Sequence, residues 1–221
     1  MSESIYHSVE DRQINAYAFG SGPKTTLILA GVHGDEQTGV EIVRLIHSKL
    51  SSVRVDGHRI VLMPCANPDG YAAGTRHNAN GIDINRNFPD KTYGTGDKSG
   101  KFFGGESAAS EPETKAVMHV VAEYRPGLII SLHEPLACVN YNGSCMRVAR
   151  RISKATALPV VGDIGYPCPG SMGNYYGSDK GLPVITLELP REQVDTNAYA
   201  DILLAVLNVQ LASPQFVTCN S

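Results

Sequence analysis

The chain has 221 residues, of which 42% are hydrophobic and 19% charged, with a formal net charge of −3. That length supports one sizeable core or at most two small ones. The slightly negative balance gives no electrostatic footprint for nucleic acid or an anionic membrane surface.

The opening MSESIYHSVEDRQ lacks the basic start and apolar stretch of a signal peptide, and runs such as Leu27 to Ala30 are far too short to span a bilayer. A cytoplasmic protein with no membrane partner is expected. Five Cys (Cys65, Cys138, Cys145, Cys168 and Cys219) form no CxxC pair. They read as free or buried thiols rather than as a disulfide framework or a thiolate metal site.

Thr25 to Gly31 (TTLILAG) reads as a buried strand. Glu36 to Leu50 follows with apolar residues at helical spacing: Val40, Val43, Leu45, Ile46 and Leu50. Arg59 to Pro64 is a second strand, stopped by proline. From Ala66 to about Ser110, Gly, Asn, Asp and Pro dominate, and a long irregular stretch inside a compact domain is usually functional. Glu113 to Tyr124 reads as a helix with Ala116, Val117, Val120 and Val121 on one side, and Gly127 to Leu132 as a third strand. Ser144 to Ala157 reads as a helix with Met146, Val148 and Ile152 toward the core. Asp163 to Gly181 is Gly- and Pro-rich, Pro183 to Leu189 is a fourth strand, and Asp195 to Leu211 closes as a helix. Alternating strands and helices predict one α/β domain over residues 1–221, a mixed, largely parallel twisted sheet flanked by helices.

His33-Gly-Asp-Glu36 lies where a strand passes into a helix. Residues three apart in a helical turn point to one side, so an imidazole and a carboxylate there suit one metal ion. The third ligand must come from elsewhere. His133 ends an apolar strand, where α/β active sites usually form. His7, His47, His58, His77 and His119 are the alternatives, and His47, His58 and His119 have no polar companion. The segment Gly81 to Pro89 (GIDINRNFP) is dense in side-chain donors: Arg86 offers a fork suited to a carboxylate and Asn85 an amide. Arg76 stands just upstream. Glu188 lies inside an apolar strand, where a carboxylate is costly unless paired, functional or turned to solvent.

HGDE, NANGIDINRNFP, SLHEPLAC and TLELP occur in the order found in zinc carboxypeptidases of the carboxypeptidase A type, and the chain resembles that family from about Leu27 to Pro190. With NPDG, GTRHNANGIDINRNFP, SEPET and GYPCPGS, it is most similar to the small bacterial branch that hydrolyses the γ-D-glutamyl–meso-diaminopimelate bond of murein tripeptide in cell-wall recycling. The resemblance implies one Zn²⁺ per chain, with His33, Glu36 and His133 as ligands. It implies Glu188 as general base and acid, Arg76 as the oxyanion-facing arginine, and Asn85 with Arg86 as the grip on the substrate's terminal carboxylate. Tyr166 matches the substrate-capping tyrosine by its spacing to Glu188, with Tyr175 and Tyr176 as rivals. Glu134 after the second His departs from the branch, and Gly173 falls in the segment that shapes the side-chain pocket.

The chemistry implied is metal-assisted hydrolysis of a small polar peptide. Deacylases of N-acyl amino acids, such as aspartoacylase and succinylglutamate desuccinylase, share an HxxE pair with a distant His and are the nearest alternative. A non-catalytic zinc or peptide-binding module would have no need of Glu188, Arg76 and Arg86 together. No exposed apolar stripe marks an oligomer interface, and a homodimer stays open.

Overall fold

The computed structural model describes residues 1–209 except 95, 97, 98 and 193. Eight strands form one sheet: β1 (Ser2–His7), β2 (Gln13–Phe19), β3 (Lys24–Leu29), β4 (His58–Met63), β5 (Leu128–His133), β6 (Leu136–Asn142), β7 (Val160–Val161) and β8 (Val184–Pro190). Their spatial order is β1-β2-β4-β3-β5-β8-β6-β7. The centre, β4-β3-β5-β8, is parallel. Antiparallel pairs, β1-β2-β4 on one side and β8-β6 on the other, extend it outward.

Helices α1 (Gln37–Ser51), α4 (Met146–Thr156) and α5 (Thr196–Val206) cover one face with Ile28, Ile130, Leu132 and Ile185. Helix α3 (Pro112–Tyr124) covers the other, over Leu27, Leu29, Ile129 and Val184. Each central strand therefore sends alternate residues to opposite faces, both dry, which explains why its sequence reads as a continuous apolar run. Among the described residues, no helix is long and apolar enough to cross a membrane.

The four strands expected are the four parallel ones. The other four were not anticipated: β1 is exposed along most of its length, β6 carries Asn140 in its interior and ends on Asn142, and β7 has two residues. In the segment after Ala66 a short helix α2 (Pro68–Ala73) forms, capped by the Asn67 side chain accepting from Gly70 N at 2.9 Å. Met146, expected in the core, is exposed, because the α4 stripe that faces the sheet is Ala149 and Ile152. The closing helix ends at Val206; Leu211 and Cys219 lie outside the described residues. The remaining Cys are all free thiols.

Helix α1 packs on the sheet through Gly39. A Cβ there would lie 2.9 Å from Leu132 Cβ and 3.3 Å from Ala30 Cβ. Gly39 is in the first turn of α1, so this close approach sets how near the helix start comes to the end of β5. Gly39→Ala gains up to about 1 kcal/mol in helix propensity, but overpacking at a rigid backbone-proximal contact costs about 1–3 kcal/mol. A net destabilisation is expected, read from the urea midpoint of the variant; a more stable variant would contradict this packing.

Candidate active site

The site opens where the parallel strands end. His33 follows β3, His133 is the last residue of β5, and Glu188 lies near the end of β8. Crevices at the carboxyl ends of such strands are where open α/β sheets bind ligands. In register, His133 pairs with Glu188, so their strands bring the two side by side, about 4.8 Å apart between backbones. A cavity of about 610 Å³ is lined by these three residues and by Glu36, Arg76, Asn85, Arg86 and Tyr166, among others. All eight residues singled out from the sequence therefore meet in one place. His7, His47, His58, His77 and His119 do not line it.

His33, Glu36 and His133 are buried, with one ligand atom from each lying within 4.8 Å of the others. His33 Nδ1 stands 3.2 Å from His133 Nδ1, and Glu36 reaches them at 2.7 and 2.8 Å. Two nitrogens bound to one tetrahedral zinc, at about 2.0–2.1 Å each, lie roughly 3.3 Å apart. The donor set and its spacing fit Zn²⁺. Glu36 is the N-cap residue of α1, but its side chain makes no capping bond and turns toward the histidines. Glu134 from the end of β5 caps the helix instead, accepting from Thr38 N at 2.8 Å. Glu134 thus fills the capping role that the Glu36 side chain leaves open.

Asp83 was not singled out from the sequence, although an acid between Ile82 and Ile84 in an otherwise polar loop was a visible signal. It is fully buried. It accepts from His33 Nε2 at 3.1 Å, from Arg76 Nε at 2.9 Å and Nη2 at 2.8 Å, and from Asn85 N at 2.9 Å. The bond to Nε2 leaves Nδ1 of His33 as the atom available to a metal. Burial by itself would raise the Asp83 carboxyl, but His33 and Arg76 outweigh it and hold it well below the ordinary range. Glu36 is likewise brought down, by His33 and His133 against its burial. For His33, burial lowers and Glu36 and Asp83 raise, the carboxylates prevailing at about 9.

Arg76 is anchored on Asp83 by one edge of its fork, and its Nη1 points at the cluster, 3.3 Å from His33 Nδ1 and 3.6 Å from Glu36 Oε1. Arg86 is only 5% exposed, yet its Nη2 meets just the Cys168 thiol, at 3.6 Å, while Nη1 donates to Asn85 O. A thiol is a weak acceptor that a carboxylate readily outcompetes. Asn85 Oδ1 accepts from Met172 N at 3.0 Å, leaving the amide N–H groups as its offering to the cavity. The Phe102 ring lies against Arg86 and Arg76, 5.1 and 5.4 Å from their guanidinium carbons. Tyr166 stacks on the same ring at 5.9 Å and is 41% exposed at the mouth. Tyr176 is buried against Phe88, Tyr175 packs on both, and neither lines the cavity. Of the three tyrosines, Tyr166 is the one that lines the cavity.

Residues 2–199 match the model of the zinc carboxypeptidase family. The chain belongs to that family. It is 35% identical over 195 residues to murein peptide amidase A of Escherichia coli strain K12, covering 83% of this chain and 78% of that one. To murein peptide amidase A of Vibrio campbellii it is 33% identical over 194 residues, covering 82% and 76%. The crystal structure of a murein-tripeptide amidase from Escherichia coli O157 superposes with a TM-score of 0.75 at 28% identity, over 96% of this chain and 94% of that one. Carboxypeptidase A from Helicoverpa armigera superposes at 0.80 with 19% identity, over 94% and 66%, a likeness of fold. Members of the family are zinc-dependent, and this chain is a metallo-hydrolase acting on peptide bonds.

Two outcomes test the cluster. Asp83→Asn keeps the volume but removes the charge on His33 and Arg76, and zinc affinity is expected to fall about 10–100-fold, measured by competition with a chelator. Because Glu36 and Asp83 outweigh burial and push the His33 pKa up to about 9, zinc must displace its proton at neutral pH. Affinity should weaken by about tenfold per pH unit on acidification below that value, with proton release measurable by calorimetry in buffers of different ionisation enthalpy. A pH-independent affinity between 6 and 8 would contradict it.

Proposed function

We propose that this protein hydrolyses the γ-D-glutamyl–meso-diaminopimelate bond of murein tripeptide, as one catalytic domain with one Zn²⁺ held by His33, Glu36 and His133. Cytoplasmic recycling of cell-wall peptide is the setting this implies. The observation that carries the hydrolytic reading is the His133–Glu188 register pair: it sets a buried carboxylate beside the metal-ligand cluster, inside the same cavity. The substrate class rests on the amidase relatives.

When bound, Zn²⁺ supplies Lewis acidity, lowering the pKa of a coordinated water and polarising the scissile carbonyl. The chain's own residues do the rest. Arg86 and the Asn85 amide take the substrate's terminal carboxylate, Arg86 exchanging its thiol contact for a bidentate charge-assisted pair. That fixes the scissile carbonyl between Arg76 and Glu188. Among the described residues Glu188 accepts only a long bond from Leu136 N, at 3.4 Å, so its carboxylate retains the capacity to take a proton from the attacking water and pass it to the leaving amine. Arg76, held rigid by Asp83, directs Nη1 at the developing oxyanion at no cost in reorganisation. Tyr166 covers the mouth.

Glu188→Gln is isosteric and lies outside the ligand set. It should retain zinc at wild-type stoichiometry while kcat on L-Ala-γ-D-Glu-meso-diaminopimelate falls by about 10²–10⁴, read by mass spectrometry of the released diaminopimelate. Wild-type turnover in this variant removes Glu188 from the role.

A further inference from the structure

A second cavity, of about 360 Å³, opens on the sheet face that α1 covers and shares no lining residue with the first. It exists because two strands part. Pairing of β2 with β4 stops at Tyr17 and Leu62, and Pro64, directly after β4, has no N–H to extend the ladder. Arg44 and His47 of α1 and Tyr71 of α2 line the cavity across from Asn15 and Tyr17 of β2. About 12 Å of helix separates Arg44 from Glu36.

Three rings, of Tyr17, His47 and Tyr71, and two prolines, Pro64 and Pro68, give this cavity flat walls. Two of its polar atoms have no partner. Asn15 and Tyr17 are two apart on β2 and point the same way. The Asn15 amide is paired with the Tyr17 hydroxyl at 2.9 Å, but the other end of that amide, Oδ1, is buried and meets nothing. His47 Nε2 is likewise buried and unpaired, its ring lying against Tyr17 with centroids 4.4 Å apart. Buried polar atoms in a native protein are normally paired, so a cavity that holds two bare ones suits an occupant with a polar group of its own. Arg44 is pre-ordered at the rim. Its Nη1 donates to Tyr71 Oη at 3.3 Å, and the guanidinium carbon lies 5.2 Å from the centre of the Tyr71 ring. Among the described residues no carboxylate pairs with it. The proposed hydrolysis uses none of these groups.

We propose that this cavity is a second binding site, separate from the catalytic one, for a small organic carboxylate with a flat apolar body and a polar group at its far end. The carboxylate meets Arg44 at the rim in a charge-assisted pair. The body lies among the rings and prolines, and the far group reaches Asn15 and His47. Small-molecule sites combine apolar walls with a few fixed polar groups in this way, at cavity sizes from about 300 Å³ upward. The inference stands whether or not the chain cuts murein tripeptide.

The test titrates zinc-loaded full-length protein with 4-hydroxybenzoate, benzoate and 4-hydroxybenzamide in a calorimeter. Benzoate lacks the far polar group, and 4-hydroxybenzamide lacks the charge. 4-Hydroxybenzoate should bind, and each of the other two should bind about tenfold or more weakly. Arg44→Gln, a change at an exposed position, should weaken 4-hydroxybenzoate about tenfold and leave 4-hydroxybenzamide unchanged. His47→Leu should bring 4-hydroxybenzoate down toward the affinity of benzoate; if that variant does not fold, Arg44→Gln carries the test. Arg86→Gln, in the catalytic cavity, should leave the binding as it is in the wild type. No binding of 4-hydroxybenzoate at millimolar concentration means that water alone fills the cavity, and overturns the proposal. Undiminished binding in Arg44→Gln also overturns it, as does binding lost in Arg86→Gln and kept in Arg44→Gln, which places the ligand in the catalytic cavity.

Discussion

One buried carboxylate, Asp83, ties His33, Arg76 and the loop bearing Asn85 and Arg86 to one another. It orients the imidazole of His33, fixes two nitrogens of Arg76 and, through Asn85 N, begins the 3₁₀ turn Ile84–Arg86 that carries the proposed carboxylate grip. A carboxylate with no access to water is tolerated only when its lone pairs are filled by charged or backbone donors, and here they are. The consequence is coupling. His33, Arg76 and Asn85 cannot shift independently, which is the rigidity that the proposed electrostatic catalysis needs.

The long loop that delivers these groups is held by asparagines. Asn87 Nδ2 is positioned by Gly104 O, Ser107 O and Ser110 Oγ. Asn78 Nδ2 donates to Glu111 and Glu113, and its Oδ1 accepts from the backbone of Asn80 and Ile82. Glu113 in turn accepts from Val9 N, between the outer strands β1 and β2. A segment without repetitive backbone pairing thus finds its partners in side-chain amides and buried acids, satisfying groups that would otherwise be orphaned. Most of the Asn and Glu in NANGIDINRNFP and SEPET serve this purpose; Asn85 and Arg86 are left for the cavity.

Motif and pattern together made the central fold and most of the site legible. The parallel strands announced themselves because both faces are dry, and HGDE, the strand-end His133 and Glu188 stood out as polar groups at the ends of apolar runs. What stayed hidden has a common cause. Strands β1, β6 and β7 lie at or near sheet edges, where one face or one side meets water and the apolar signal fades. Asp83 and Glu134 act through partners 50 and 96 residues away, a relation no local pattern encodes.

The sequence by itself determined the ligand types, the order of the chemical groups and the parallel core, because each depends on residue identity or on short-range periodicity. Tertiary structure alone decided which histidine joins the HxxE pair, that Glu188 faces inward beside it, and that Tyr166 rather than Tyr175 or Tyr176 stands at the mouth. Those choices follow from strand register and from packing across the sheet, where a shift of one residue would turn each of these side chains to the opposite face.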